Sequence, residues 1–307
     1  MKLVSIVIPT RNEQDRIASI LESINGQTYK NIETIVVDGG SKDNTVKIAK
    51  NLGAKVVKET GTFKSLPNAK NQGVKLARGE LVIVLDADNE LNPEFVTEAV
   101  KSYKKGVLGL KCTVEWTEDT VVERILRAVV AKEKGVSPLP MIIPKKYRLA
   151  VGGWDPSLGF GEDRDFRRRV GDFVKKNKLK IGYSKKSIIK LHMPHTLSEL
   201  IKQQRWYGRT ILFYLNRSDD WKEYRFLARC GFSLLPFGLL ALLWPGRYWE
   251  VVALLSAPFW LLTLYRTLRA LVKGDIYGIF IPIIDFISGT FMFLGLLESK
   301  RKDRGRN

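Results

Sequence analysis

Short apolar runs alternate with amphipathic stretches over the N-terminal part of the chain. The runs are rich in β-branched residues and end at polar residues or glycine, which is typical of buried strands. They cover residues 4–9, 32–38, 55–58 and 81–85. Helical patterns lie between them, beginning near Glu13, after Ser41 or Asp43, at Leu66 and after Asn92-Pro93. This alternation predicts an α/β fold with a mostly parallel sheet and helices on both faces.

The pattern is looser after residue 106. Residues 107–116 read as a further strand and residues 119–134 as a helix. Thr196 followed by Glu199 is the signature of a capping box, and it predicts a helix that runs to about residue 215. The region up to residue 222 therefore reads as one predicted domain, residues 1–222.

The C-terminal part changes character. Residues 230–244, 251–265 and 276–297 are apolar, and their edges are rich in tryptophan and tyrosine. One bilayer crossing needs about 20 apolar residues, which only the third run reaches. The alternative is a buried helical core, but the aromatic edges favour a membrane module over residues 223–307. If the catalytic part is cytoplasmic and all three runs cross the bilayer, the basic tail at residues 300–304 lies outside the cell, against the positive-inside rule. Two crossings with one re-entrant or interfacial helix would keep this tail inside.

Charge and cysteine content restrict the partners and the compartment. The 51 Lys and Arg against 32 Asp and Glu give a formal net charge of +19. The basic residues between 145 and 190 are either a solvated face or a surface for anionic lipid headgroups. No motif for reading nucleic acid accompanies the charge, so no nucleic-acid partner is predicted. The two cysteines lie far apart, and the first residues read as a strand rather than as a signal peptide. Together with the apolar C-terminal runs, these features predict a multi-pass cell-membrane protein whose catalytic domain is cytoplasmic.

Two carboxylates follow the strand at residues 81–85 with D-x-D spacing. Asp86 and Asp88 lie at its carboxyl end, and Asp38 ends another predicted strand. Ligands bind at this edge of such sheets. Adjacent carboxylates repel each other unless a cation lies beside them, and oxygen ligands suit Mg²⁺ or Mn²⁺. A solvated turn is the alternative, but the preceding apolar strand favours a metal site.

Several segments, in this order, resemble the inverting glycosyltransferases of family 2. The resemblance covers about residues 3–210 and implies a nucleotide-sugar-binding fold of the A type, which is Rossmann-like. Its opening strand and loop correspond to Ser5–Glu13, its second nucleotide segment to Val37–Thr45, and its pre-metal helix to Ala69–Gly73 with Ala77–Glu80. Its metal motif corresponds to Leu85–Asp88, and its acceptor-side segments to Gly152–Asp155 and Gly161–Asp163. Lys70 stands where the family commonly has arginine.

The resemblance implies a role for each matching residue. Asp88 would bind the metal and Asp86 the metal or the ribose, while Asp163 would be the general base, with Glu162 as the alternative. Acids at a helix N-terminus, favoured by the helix dipole, are the other interpretation of that pair. Lys70 is either a phosphate contact or a solvated helix lysine. The nucleoside pocket would be lined by Pro9, Thr10, Arg11 and Glu13, with Asp38 accepting a hydrogen bond from the base.

Two further features bear on the predicted metal site and on the type of enzyme. His192 and His195 are the only histidines. Each can be a structural histidine, or one of them can complete the metal shell; the neighbouring helix start favours His195 for that role. Polymer-extruding members carry Q-x-x-R-W, whereas Lys202 stands at the first position here. This substitution predicts a non-processive enzyme.

The expected activity is metal-dependent transfer of one sugar from a UDP- or GDP-linked donor, with inversion. The acidic pair at Glu162 and Asp163 suggests a hydroxyl acceptor on a lipid-linked or membrane-proximal glycan, because a phosphate acceptor is already ionised and needs no base. A polyprenyl-phosphate sugar synthase and a non-catalytic protein that binds nucleotide sugars remain the alternatives. The oligomeric state stays open.

Overall fold

The structure is a computed structural model that describes residues 2–61, 64–103, 107–116, 120–130, 134–137, 142–158, 161–215, 230–236 and 247–303. The chain divides into two compact units. The first unit comprises Met1–Trp116 and Lys134–His192, and the second comprises Thr117–Glu133 and Met193–Asn307. The predicted domain boundary at residue 222 lies outside the described residues.

The parallel half of the sheet follows the sequence pattern closely. Its strands are β1 (Val4–Thr10), β2 (Ile32–Asp38), β3 (Lys55–Lys58) and β4 (Leu81–Val84). They lie in the order β3-β2-β1-β4, and every pair is parallel. Every residue of β1 and β4 is buried. Continuous apolar runs of this kind are what a sheet covered on both faces requires.

The other half makes the sheet mixed. Its strands are β5 (Asn89–Leu91), β6 (Val107–Trp116), β7 (Lys134–Val136), β8 (Ile142–Pro144) and β9 (Lys180–Leu191). The order continues β4-β8-β6-β9-β5, with β7 on β6. Only β6 and β9 are parallel in this half; the other pairs are antiparallel. The three antiparallel additions β5, β7 and β8 are three residues long, too short to show a period of two in the sequence.

The helices of the first unit connect these strands. They are α1 (Ile17–Asn25), α2 (Thr45–Asn51), α3 (Leu66–Leu76), α4 (Phe95–Ser102), α6 (Lys145–Val151) and α7 (Glu162–Lys176). The helix predicted near Glu13 begins later, at Ile17, because Asn12 takes a left-handed conformation (φ +57°) and the residues after it are tied to another loop. Asn12 donates to Ser41 Oγ and Glu13 to Thr45 Oγ1. The loop after β1 is thereby joined to the loop after β2.

The second unit is helical over its described residues. It contains α5 (Val121–Val130), α8 (Leu197–Leu215), α9 (Arg247–Val272) and α10 (Ile281–Asp303), with short 3₁₀ helices at Gly231–Leu234 and Ile276–Phe280. The capping box is confirmed, since Thr196 Oγ1 accepts from the Glu199 N–H and the Glu199 carboxylate accepts from the His195 N–H. Helix α8 covers Leu197–Leu215, the last residues described before residue 230, so its predicted end near residue 215 stays a prediction.

Two helices of this unit are long and apolar enough to cross a bilayer. They cover Glu250–Val272 and Ile276–Glu298, and the most apolar 18 residues of each have mean hydropathies of 1.5 and 2.0. Only 11% and 33% of these 18-residue stretches are buried, so both helices expose most of their apolar surface. A buried helical core therefore does not describe them. The predicted run at residues 230–244 lies mostly outside the described residues.

Helices α8 and α10 cross with their backbones in close contact. A Cβ on Gly208 would lie 1.9 Å from the carbonyl oxygen of Met292, and one on Gly295 would lie 2.1 Å from that of Arg205. Glycine at both positions permits this approach. Beside the crossing, the Glu298 carboxylate accepts hydrogen bonds from Arg205 and Arg209.

Substitution of either crossing glycine by alanine is expected to destabilise the protein. Both Cβ atoms would meet backbone atoms, which cannot move aside as a flexible side chain can, and overpacking of this kind costs about 1–3 kcal/mol of unfolding free energy or more. Thermal unfolding in detergent would measure the loss for Gly208→Ala and Gly295→Ala. Gly171→Ala in α7 is the control, since no atom lies within 4 Å of its added Cβ. Equal melting temperatures for all three variants would contradict this packing.

Candidate active site

A cavity of about 290 Å³ opens at the carboxyl ends of the parallel strands. Six residues predicted to bind donor or metal line it: Pro9, Thr10, Arg11, Glu13, Asp86 and Asp88. The other lining residues were not predicted individually as site residues, although Gly39, Ala69 and Ala87 lie in the matching segments; they are Gly39, Glu59, Lys64, Ser65, Leu66, Ala69 and Ala87. The strand order explains the convergence, because the carboxyl ends of β1, β2 and β4 meet at one edge.

Asp38 lies next to this cavity but shapes the loop rather than lining it. Its carboxylate accepts hydrogen bonds from the backbone N–H groups of Gly40 (3.2 Å) and Ser41 (3.0 Å). The carboxylate therefore holds the turn after β2 closed. That Asp38 accepts a hydrogen bond from the base stays a prediction.

The acid pair lies on a tight turn after β4. Asn89 holds it, because its side-chain oxygen accepts from the Asp86 N–H and its amide donates to the Asp88 carboxylate. Burial, and then the neighbouring Asp86, raise the pKa of Asp88 to about 7. Burial also raises the pKa of Glu13, and Asp86 adds to that increase. Glu13, Asp86 and Asp88 are three of the four acids that line the cavity. Their carboxylate oxygens suit a hard divalent cation, which would relieve their repulsion.

Lys70 joins the donor side of the site to the predicted acceptor side. Its ammonium lies 3.8 Å from Asp86 Oδ1, 3.4 Å from Glu162 Oε1 and 3.1 Å from Asp163 Oδ1. The side chain is only 3% exposed, so it is not the solvated lysine that its helical position allows. Burial lowers the pKa of Lys70, but the three carboxylates outweigh burial and raise the pKa above its ordinary value.

Trp154 lies in a segment that the resemblance assigns to the acceptor side, but no individual role was predicted for it. Its indole Nε1 donates to Asp163 Oδ1 at 2.8 Å, and its ring stacks on Phe166 with centroids 4.4 Å apart. Lys70 lies over the same ring. Asn71 fixes the backbone by bonding both the N–H and the carbonyl of Trp154. The conformation needs Gly153, whose φ is +67° and whose added Cβ would lie 2.3 Å from Asn71 Oδ1.

The two candidate bases lie in different environments at the start of α7. Glu162 is buried, and burial raises its pKa to about 7 despite the nearby Lys70. The Asp163 side chain is 45% exposed, and both of its hydrogen bonds, from Lys70 and Trp154, reach the same oxygen, Oδ1. Asp163 thus combines a fixed orientation with access for a second substrate.

The two histidines each contact an acid within their own unit. His192 Nε2 lies 2.9 Å from Glu90 Oε1. His195 Nδ1 lies 3.4 Å from Glu123 Oε1, and Glu123 also accepts from the Thr120 N–H in a capping box at the start of α5. The carboxylate of Glu123 orients His195, while metal binding by His195 stays a prediction.

Comparison with known proteins gives a family match for this region. The model described as "Glycosyl transferase family 2" matches residues 5–157, which include the cavity, the acid pair and Trp154. A 4,4'-diaponeurosporenoate glycosyltransferase from Staphylococcus haemolyticus is 36% identical over 108 residues, 33% of this chain and 28% of that protein. A PGL/p-HBAD biosynthesis glycosyltransferase from Mycobacterium bovis is 39% identical over 93 residues, 29% of this chain and 36% of that protein. The matches thus span about a third of the length of these relatives.

A similar fold occurs among solved structures. A mannosyltransferase from Pyrobaculum calidifontis, solved in complex with GDP-Man and Mn²⁺, aligns with a TM-score of 0.53 and 17% identity, covering 93% of this chain and 87% of that chain. At this identity the similarity concerns the fold, which is the A-type fold of nucleotide-sugar glycosyltransferases. The predicted fold class is confirmed.

Proposed function

Because the chain belongs to glycosyl transferase family 2 through residues 5–157, we propose that it transfers one sugar from a UDP- or GDP-linked donor to an acceptor hydroxyl, with inversion. The observation that carries the proposal is the position of Lys70. One buried ammonium contacts Asp86 at the donor cavity and both Glu162 and Asp163. The groups that such a transfer needs therefore lie within reach of one another.

The donor side holds the nucleotide and its diphosphate. Pro9, Thr10, Arg11 and Glu13 line the part of the cavity that suits a nucleoside, and Asp86 with Asp88 would hold Mg²⁺ or Mn²⁺. When bound, that cation neutralises charge on the departing diphosphate. Lys70 is turned towards the acids, so its main role in this proposal is to hold Asp86 and Asp163 in place rather than to bind phosphate directly.

Asp163 acts as the general base in this proposal. Lys70 and Trp154 hold Oδ1, which leaves Oδ2 to accept the proton of an acceptor hydroxyl. The oxygen that loses the proton attacks the anomeric carbon as the bond to the diphosphate breaks. One displacement from the opposite face inverts the configuration. Glu162, which is buried behind Lys70, keeps the ammonium in position.

The acceptor is proposed to be a lipid-linked or membrane-proximal glycan. The two exposed apolar helices of the second unit support attachment to the cell membrane. The low cysteine content of the chain suits a catalytic unit on the cytoplasmic side. A membrane anchor restricts acceptors to those at the bilayer surface. Transfer of one sugar at a time follows from Lys202, which replaces the glutamine of the polymer-extruding members.

Metal-dependent donor binding tests the proposal. We expect a panel of UDP- and GDP-sugars with Mn²⁺ to include one that binds and is slowly hydrolysed by the purified full chain. Asp88→Ala should weaken that binding at least about tenfold, or about 1.4 kcal/mol, because it removes a buried ligand oxygen from the cavity. Calorimetry with and without Mn²⁺ measures the difference. Unchanged metal-dependent turnover in Asp88→Ala would overturn the assignment, and binding without turnover on membrane extracts would indicate a non-catalytic binding protein.

A further inference from the structure

A buried carboxylate lies at the end of β3 in the wall of the donor cavity. Glu59 is only 4% exposed and lines that cavity. One of its oxygens, Oε1, accepts hydrogen bonds from the Ser65 N–H and the Asn68 amide, both at 2.8 Å. These two bonds hold the side chain in one orientation.

The second oxygen of Glu59 is available to a ligand. Among the described residues no donor bonds Oε2, which lies 3.3 Å from the position of a Cβ built on Gly39. Oε2 is not one of the fully buried unpaired atoms of the described residues, so this oxygen opens to the cavity that Glu59 lines. Gly39 leaves open the space that a side chain at that position would fill. A ligand N–H entering beside Gly39 would supply the missing hydrogen bond.

Thr10 supplies a second polar group of the same kind. Within the described part of the chain its buried Oγ1 has no hydrogen-bond partner, and Thr10 also lines the cavity. The strand ends that carry these groups are tied by backbone bonds, from the Gly39 N–H to Thr10 O and from the Glu59 N–H to Asp38 O. The pocket is therefore built before any ligand arrives.

We propose that Glu59 binds the nucleobase of the donor and that this base is guanine. The proposal rests on the proposed function, since it assumes that a nucleotide sugar occupies the cavity. An ionised carboxylate only accepts hydrogen bonds, and Oε2 keeps both of its acceptor positions. The ligand edge that fits best is one with two adjacent N–H donors and no acceptor between them.

Guanine alone among the common bases has such an edge, formed by N1–H and the N2 amino group. Uracil has one N–H between two carbonyl oxygens, and a carboxylate repels both of those oxygens. Adenine and cytosine place an amino group beside an acceptor nitrogen. A pocket that hydrogen-bonds a specific group rejects ligands that lack it, because its own polar atoms are then left unpaired. Glu59 would thus choose GDP-linked over UDP-linked donors.

Competition binding of free nucleotides tests the proposal. The full chain in detergent with Mn²⁺ is titrated with GDP, IDP and UDP; IDP lacks only the N2 amino group of GDP. We expect GDP to bind at least about tenfold more tightly than UDP, a difference of about 1.4 kcal/mol, with IDP between them. Glu59→Gln should weaken GDP binding at least about tenfold and change UDP binding less than about twofold.

Glutamine is a suitable replacement because its oxygen can still accept from Ser65 and Asn68 while its amide replaces Oε2. Glu22→Gln, at an exposed position on α1, controls for the loss of one negative charge and should leave all three affinities unchanged. UDP binding as tight as that of GDP, or an equal loss of GDP and UDP affinity in Glu59→Gln, overturns the base assignment but leaves the proposed function intact. Metal-dependent binding of none of the three removes the proposed function and the inference together.

Discussion

Asp163→Asn is expected to lower kcat for transfer to a hydroxyl acceptor by roughly 10²–10⁴-fold, the usual contribution of a general base. Asparagine keeps the shape of the side chain but cannot take up the acceptor proton. Asp163 is not among the residues that line the donor cavity, so the affinity for nucleoside diphosphate with Mn²⁺ should stay within about twofold. Initial rates at saturating donor, together with calorimetry, measure the two quantities.

Two variants show whether Asp163 acts as proposed. Glu162→Gln should lose much less activity, because the buried Glu162 does not face an open space for an acceptor. The loss of activity in Trp154→Phe should lie between the losses in Asp163→Asn and Glu162→Gln, since it removes one of the two donors that orient Asp163 Oδ1. Similar losses in Asp163→Asn and Glu162→Gln would contradict the assignment. Full activity of Asp163→Asn on a polyprenyl phosphate would instead identify a lipid-phosphate sugar synthase, since that acceptor is already ionised.

Lys70→Met is expected to lower the free energy of unfolding by about 3–5 kcal/mol, because it leaves the buried Glu162 carboxylate without its counter-charge. Three acids face the ammonium, and Glu162 is itself buried. The folded protein raises the pKa of Lys70, so the stabilisation is fully present below the ordinary lysine pKa of about 10.4 and is lost progressively as the pH rises from there through the folded-state value. Denaturant unfolding at pH 7 measures the loss.

The same helix provides the control. Lys75 lies further along α3 at an exposed position. Lys75→Met should therefore change the free energy of unfolding by less than about 0.5 kcal/mol. Lys70→Arg should retain more stability than Lys70→Met, because the charge is kept. A Lys70→Met protein as stable as Lys75→Met would show that the acids are neutralised by other means, and the central role of Lys70 would be wrong.

The sequence predicts well which residues meet at the cavity, because its signals there are local. The runs that form β1, β2 and β4 are continuous and end at polar residues, so both the parallel pairing and the convergence of Asp86 and Asp88 with Pro9 and Glu13 follow from the pattern. The capping box at Thr196 is local in the same way. Such features depend on a few neighbouring residues, which is what a sequence displays directly.

Features formed between distant segments could not be predicted. Glu59 follows a short strand and carries no motif; its burial depends on Ser65 and Asn68, which fold back over it. Trp154 is held by Asn71 from a helix more than eighty positions earlier in the chain. The start of α1 at Ile17, later than the pattern near Glu13 predicts, reflects hydrogen bonds from the loop after β1 to the loop after β2, a tertiary contact that the local pattern does not show.

The course of the chain between the two compact units limits how the enzyme can be shortened. The segment from 117 to 133 leaves the sheet after β6, contributes α5 to the second unit and returns to form β7. There Arg127 pairs with Asp275 and Arg124 contacts Tyr277, next to the apolar helices. Removal of the C-terminal residues, the usual route to a soluble fragment, would strip α5 of these partners and expose its apolar side. A water-soluble version of the catalytic half therefore calls for redesign of α5 as well as deletion of the tail.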